Sequence, residues 1–242
     1  MTGVDACASG WVSVTLPWTA ADAESAPGPP LVTVAPTLDG LSLDGLVGID
    51  MPLGLLADGW RVADVLARRA LGRRGATVFA VPPRPVWQYP TYAEANRKCR
   101  ELTGKGLSAQ TWGLRSKLLE ADANRRQSAA RLDKAHPEGA NAHRTAPSAR
   151  LYEVHPELAF AAIAGAPLAA SKHTGAGLAL RRDLLAQVGI TVPAKVAGAG
   201  VHDLLDAAAV AWSARRIAAG QAVTLTDPAQ HADDGTEIAI RY

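Results

Sequence analysis

The sequence predicts an α/β fold: a mixed sheet of three antiparallel strands followed by parallel ones, with helices on both faces and a helical insertion. Three observations predict it. Short β-branched runs joined by small-residue turns crowd the N-terminal part, apolar residues recur at helical spacing through the middle, and one further strand then precedes a run of helices. The 242 residues allow one large domain or two small ones, and 48% hydrophobic residues suffice for a sizeable core. We read one domain over residues 1–242, with a basic helical insertion at about 60–150.

Thr2 to Ala6 reads as a strand, and Trp11 to Leu16 alternates as a second. The small residues Cys7-Ala8-Ser9-Gly10 turn the chain between them into a hairpin. Ala20 to Pro30 is a Pro/Ala/acidic loop, and Leu31 to Ala35 is a third strand. Thr37 to Leu46 is a turn or short helical piece, and Leu46 to Asp50 is a fourth strand, stopped by Pro52. Arg61 to Leu71 carries Val62, Val65, Leu66 and Ala70 at helical spacing. Val81 to Pro90 holds four prolines and is irregular. Tyr92 to Thr103 and Gln110 to Ala123 read as helices, and Asp133 to Ala149 as a loop. Arg150 to Val154 is a fifth strand. Helices follow at Glu157–Ala164, Leu178–Val188 and Val201–Ala219, the last stopped by Gly220. Glu237 to Tyr242 reads as a last strand. This order is the ribonuclease-H-like arrangement.

The net charge of +2 hides an asymmetry. Before Arg61 there is no Lys or Arg against seven acidic residues, whereas Arg61 to Arg150 holds 18 basic and 7 acidic residues. A basic middle between acidic flanks reads either as an electrostatic footprint for an anionic partner or as solvated helix faces. No apolar run of ~18 residues predicts a membrane span, and the N-terminus lacks the basic region of a secretory signal. Two cysteines, Cys7 and Cys99, fit a reducing cytoplasm and give no zinc spacing.

The chemistry gathers around an echo. Gly3-Val4-Asp5 returns as Gly48-Ile49-Asp50, each time with an acid where an apolar run stops. One such Asp reads as a turn cap through its own oxygen; two in the same context read as a shared site. Adjacent carboxylates are costly unless a proton or a metal ion lies between them. Asp203 and Asp206 stand at i, i+3, on one face of the last long helix. Acids in a first helical turn also complement the helix dipole, which explains their charge but not their coincidence with Asp5 and Asp50. Glu153 ends the fifth strand, where it would ligate metal or pair with an arginine. His155 is a general base or proton shuttle, or a capping histidine. Pro156 suits the first position of the following helix.

Hard carboxylate oxygens suit Mg²⁺ or Mn²⁺, and two such ions ~4 Å apart are a standard device for phosphodiester hydrolysis. We therefore take Asp5, Asp50, Asp203 and Asp206 as candidate metal ligands, and add Glu153 and His155 as catalytic candidates. The basic middle would grip a phosphate backbone. Arg73, Arg74, Arg84 and Lys117 are its foremost candidates, beside Arg68, Arg69, Arg125 and Arg126. Trp87, Tyr89, Tyr92 and Trp112 interleave with them, either to stack bases or as core, the latter favoured for Trp112. Ser171-Lys172-His173-Thr174-Gly175 has the make-up of an anion-binding loop, with Lys172 facing phosphate.

Five segments taken together resemble a known family. They are Gly3-x-Asp5 with Gly10-Trp11; Ile49-Asp50-x-Pro52-Leu53-Gly54; Glu153-x-His155-Pro156-Glu157; Ser171-Lys172-x-Thr174; and Asp203-x-x-Asp206-Ala207. In this order they resemble the domain-of-unknown-function family 429 over nearly the whole chain. Members of that family are generally described as predicted nucleases with a ribonuclease-H-like fold. The resemblance implies a first-strand acid at Asp5, a fourth-strand acid at Asp50 and a helical pair at Asp203 and Asp206, similar to the paired aspartates of Holliday-junction resolvases. Glu153 also matches a family position. The first hairpin departs from the pattern: it reads Ala6-Cys7-Ala8-Ser9 where glycine and proline are usual.

The expected activity is metal-dependent hydrolysis of RNA or DNA by a cytoplasmic bacterial protein, with the oligomeric state left open and a homodimer among the options. Two other readings compete. Actin-like and sugar-kinase proteins place an Asp-containing first hairpin around nucleotide phosphates, although they need two copies of such a domain. A non-catalytic binding module on the same fold is the other.

Overall fold

The computed structural model describes residues 1–17, 28–135 and 149–242, without the side chains of 131–135. The sheet is built from β1 (Thr2–Cys7), β2 (Gly10–Thr15), β3 (Leu31–Ala35), β4 (Leu46–Ile49) and β5 (Arg150–Glu153) in the order β3-β2-β1-β4-β5. β1 pairs antiparallel with β2 and β2 with β3, whereas β4 runs parallel to both β1 and β5. The three-antiparallel-then-parallel pattern is the ribonuclease-H-like one expected from the strand spacing. β1, where the hairpin meets the parallel half, is the central strand.

Between β4 and β5 the chain forms α1 (Val62–Leu71), α2 (Tyr92–Thr103), α3 (Ala109–Gly113) and α4 (Arg115–Ala135). After β5 come α5 (Pro156–Ala164), α6 (Gly175–Gln187) and α7 (Val201–Ala218), then β6 (Thr224–His231) and β7 (Glu237–Arg241). α1 packs Ala63, Ala67 and Leu71 against Leu158, Ile238 and Ile240, whereas α2, α3 and α4 cover one face of the sheet. Val4, Trp11, Val47 and Ile49 pack there with Val86, Trp87, Ala95, Leu118 and Ala121. Glu120 of α4 fastens this layer, accepting hydrogen bonds from Trp11 Nε1 at 3.0 Å and the Leu38 amide at 2.7 Å. The other face is covered by α5, α6 and α7, which bury Val12 and Val14 among Phe160, Leu185, Leu205 and Ala208. No described helix is long and apolar enough to cross a membrane.

Most elements fall where the sequence places them, and two do not. The expected Gln110–Ala123 helix is two helices meeting at Leu114, and the second runs on to Ala135. β6 is a strand the periodicity does not reveal, paired antiparallel with β7 in a separate two-stranded sheet. The expected loops at 20–30 and 133–149 fall largely outside the described residues.

Candidate metal centre

Alternation along a strand puts Gly3 and Asp5 on one face of the sheet and Gly48 and Asp50 on the same face. The parallel register sets Gly3 beside Gly48, and the Asp50 amide donates to the Val4 carbonyl at 2.9 Å. Asp5 and Asp50 therefore end up side by side. The glycines serve the helix that crosses them. A Cβ on Gly3 would lie 2.1 Å from the Ala211 amide nitrogen and 2.2 Å from the Ala207 carbonyl oxygen; one on Gly48 would lie 2.8 Å from Val210. Such closeness of α7 to the sheet requires glycine. It also brings Asp206, one residue before Ala207, onto the two strand acids.

One carboxylate oxygen from each of Asp5, Asp50 and Asp206 lies within 4.8 Å of the others. Asp5 and Asp206 are buried and Asp50 partly so. Asp5 Oδ1 accepts the Ala6 amide at 2.7 Å, whereas Asp206 Oδ1 is buried with no hydrogen-bond partner among the described residues. Lys172 Nζ donates to Asp206 Oδ2 at 2.5 Å. Thr174 N-caps α6, accepting from the Gly177 amide at 3.1 Å, and so fixes the loop that carries Lys172. One ammonium does not balance three carboxylates. Burial and then the charges of Asp50 and Asp206 push Asp5 well above the usual carboxylate range. Burial and then the charge of Asp206 push Asp50 up to about 8. Burial raises Asp206 too, with Lys172 opposing it. Burial disfavours the Lys172 charge, but Asp206, Asp50 and Asp5 outweigh it and raise its pKa.

The remaining candidates divide. Asp203 lines the same cleft, but its Oδ2 accepts the Gly200 amide at 3.1 Å and its Oδ1 lies 3.1 Å from His202 Nε2. It caps its own helix beside the cluster. Glu153 also lines the cleft, held by Arg61 Nη2 at 2.6 Å and by the Leu53 amide at 2.7 Å. Burial nevertheless pushes Glu153 up to about 7, against the opposing effect of Arg61. His155 precedes α5, and its Nε2 lies 3.4 Å from the Thr77 carbonyl oxygen. A carbonyl only accepts, so Nε2 carries the proton and Nδ1 the lone pair. Burial lowers His155 to about 4, which keeps it neutral at pH 7.

Of the basic candidates, Lys172 and Arg74 line the cleft, which has a volume of about 500 Å³. Arg74 bonds Glu157 at 3.2 Å, and buried Arg181 bonds the same oxygen at 2.6 Å. Arg73 is exposed on the turn between α1 and the cleft wall. Arg84 pairs with Asp122 at 2.9 Å and Asp233 at 2.6 Å, away from the acids. Lys117 sits 4.6 Å above the Trp11 ring and 3.7 Å from Glu120. Trp87 and Trp112 stack with ring centroids 6.5 Å apart, and Trp87 is buried. Arg61 escapes the sequence reading, and Glu157 enters it only within the Glu153-x-His155-Pro156-Glu157 segment, because spacing does not distinguish a buried charge from an exposed one.

A ribonuclease-H-like sheet with acids on its first and fourth strands and on the last long helix defines the class. The chain belongs to the family described as a protein of unknown function, DUF429, whose family model matches residues 3–231. Neither a curated protein nor a solved structure matches the chain.

Proposed function

We propose that the chain is a divalent-metal-dependent nuclease of the cytoplasm, hydrolysing phosphodiester bonds of RNA or DNA. The observation that carries this reading is the meeting of Asp5, Asp50 and Asp206 within 4.8 Å. The donor set fits Mg²⁺ or Mn²⁺: all three groups are hard oxygens, and Asp206 Oδ1 is buried without a partner among the described residues. Asp5, Asp50 and Asp206 would hold the cation. When bound, it polarises a phosphoryl group and acidifies water. Lys172 places an ammonium beside the acids, complementary to a phosphate oxygen. Neutral His155 offers Nδ1 as a hydrogen-bond acceptor at the cleft wall. Arg73, exposed near the cleft, meets the strand beyond the scissile phosphate.

The acids meet one another rather than being taken up by arginines, which favours catalysis over a purely binding module. The purified chain is incubated with structured and single-stranded RNA and DNA in Mg²⁺ or Mn²⁺. The expected result is cleavage that stops in EDTA and falls at least ~100-fold in Asp5→Asn. Inert wild type, or equal cleavage by Asp5→Asn, contradicts the reading.

A further inference from the structure

A second pocket of about 370 Å³ adjoins the acidic cleft, and Asp64, Ala76, Phe79 and Gln110 line both. Its size falls in the ~300–1,000 Å³ range of small-ligand sites. Its chemistry is one-sided. Arg61 is only 1% exposed, and Nη2 is committed to Glu153. Nη1 of the same guanidinium is buried and finds no acceptor among the described residues. Trp60 Nε1, on the same wall, is likewise buried with no acceptor among them. Arg68 and Lys105 line the mouth, and both are exposed. The lining carboxylate, Asp64, accepts the Val81 amide at 2.9 Å and faces Arg61 Nε at 3.4 Å, sharing that guanidinium with Glu153, and its burial raises its pKa. Buried donors without acceptors are rare in folded proteins and argue for an acceptor supplied by a ligand. Trp60 and Phe79 add aromatic surface beside the donors.

We propose that this pocket binds a phosphate group of a nucleotide, with Arg61 Nη1 and Trp60 Nε1 as inner donors and Arg68 and Lys105 at the rim. This deepens the nuclease reading and rests on it for one point only: the shared wall makes the pocket the seat of a nucleotide next to the one at the acids. Phosphate recognition itself needs neither metal nor turnover.

The test is calorimetric titration of the full chain with 5′-AMP, adenosine and the dinucleotide pApA in EDTA, where the acidic cleft repels anions. The expected result is saturable binding of 5′-AMP, at least tenfold weaker binding of adenosine, and pApA bound at least as tightly as 5′-AMP. Arg68→Glu/Lys105→Glu changes exposed residues and weakens 5′-AMP at least tenfold. Lys105→Glu alone, with an unaltered circular dichroism spectrum, gives the same direction. Absence of saturable binding, equal binding of adenosine, or indifference to the charge reversals overturns the proposal. So does a site that takes inorganic phosphate and excludes 5′-AMP. Failure here leaves the nuclease reading standing, and failure of the cleavage assay leaves the pocket standing.

Discussion

Asp50 meets charge from every side: Asp206, Glu153 and Glu157 raise its pKa after burial, and Lys172 lowers it. Its ordinary value is ~3.9, and here it is about 8. Between those values the folded chain binds more protons than the unfolded chain. The contribution of Asp50 to stability without metal is therefore full below pH ~4 and is lost as the pH rises through about 8. Asp5 and Asp206, also raised, act in the same sense. In EDTA the melting temperature should fall from about pH 5 to pH 8, and Asp50→Asn should recover roughly 3–6 °C at the upper end, at ~2–4 °C per kcal/mol for a chain of this size. Scanning calorimetry of both proteins at the two pH values checks it. A flat profile in wild type would mean the carboxylates are not crowded. Mn²⁺ should raise the wild-type melting temperature more at about pH 8 than at pH 5, because metal and protons compete for the same oxygens.

At the scale of elements, the site is a consequence of how α7 lies on β1 and β4. Gly3→Ala would set a methyl 2.1 Å from a backbone nitrogen of α7, with no flexible side chain to give way. We expect a loss of roughly 3 kcal/mol, at the upper end of overpacking costs, read by urea unfolding. The same substitution at Gly59 or at exposed Gly72 meets no neighbouring atom and serves as a control for composition, though their positive φ adds strain of its own. Glu153→Gln tests a different joint. Arg61 and Glu153 tie the start of α1 to the end of β5, both buried, and Glu153→Gln leaves Arg61 with Asp64 as its remaining carboxylate partner. A loss of about 1–3 kcal/mol is expected from the weakened charge-assisted bonds, with Mn²⁺ affinity kept if Glu153 is a strut rather than a ligand. The acid half of the Gly-x-Asp echo was legible because a charge ending an apolar run has to leave the core. The glycine half was not, since it answers to a helix some 200 residues on, and a single sequence does not show which helix crosses which strand. β6 stayed hidden because Asp227, Pro228 and Gln230 interrupt its alternation, and its pairing with β7 carries a register shift. α4 outruns its apolar pattern: beyond Ala123 it continues through Arg, Gln and Ala, good helix formers with no stripe to read.

For the whole molecule, the basic middle changes meaning once folded. Arg84, Arg125 and Arg126 close on Asp122, Asp233 and Asp234, with Arg125 also donating to Thr236 at 2.7 Å. They clasp α4 to the turn between β6 and β7. Composition alone revealed the excess of positive charge, but not that its strongest cluster faces acids contributed from a distant part of the chain. Among the described residues, exposed Arg69, Arg73, Arg97 and Arg100 remain for an anionic partner, with Arg68 and Lys105 at the rim of the adjoining pocket and Lys172, from outside the basic middle, at the cleft. The proposed nuclease rests on a cation that Asp5, Asp50 and Asp206 would hold. Titration of Mn²⁺ into the metal-stripped chain at about pH 8, followed by electron paramagnetic resonance, measures it directly. Saturable binding is expected, weakening at least ~100-fold in Asp206→Asn, a change of about 2.7 kcal/mol. Wild type that takes up no Mn²⁺, or Asp206→Asn that binds it equally well, would contradict it.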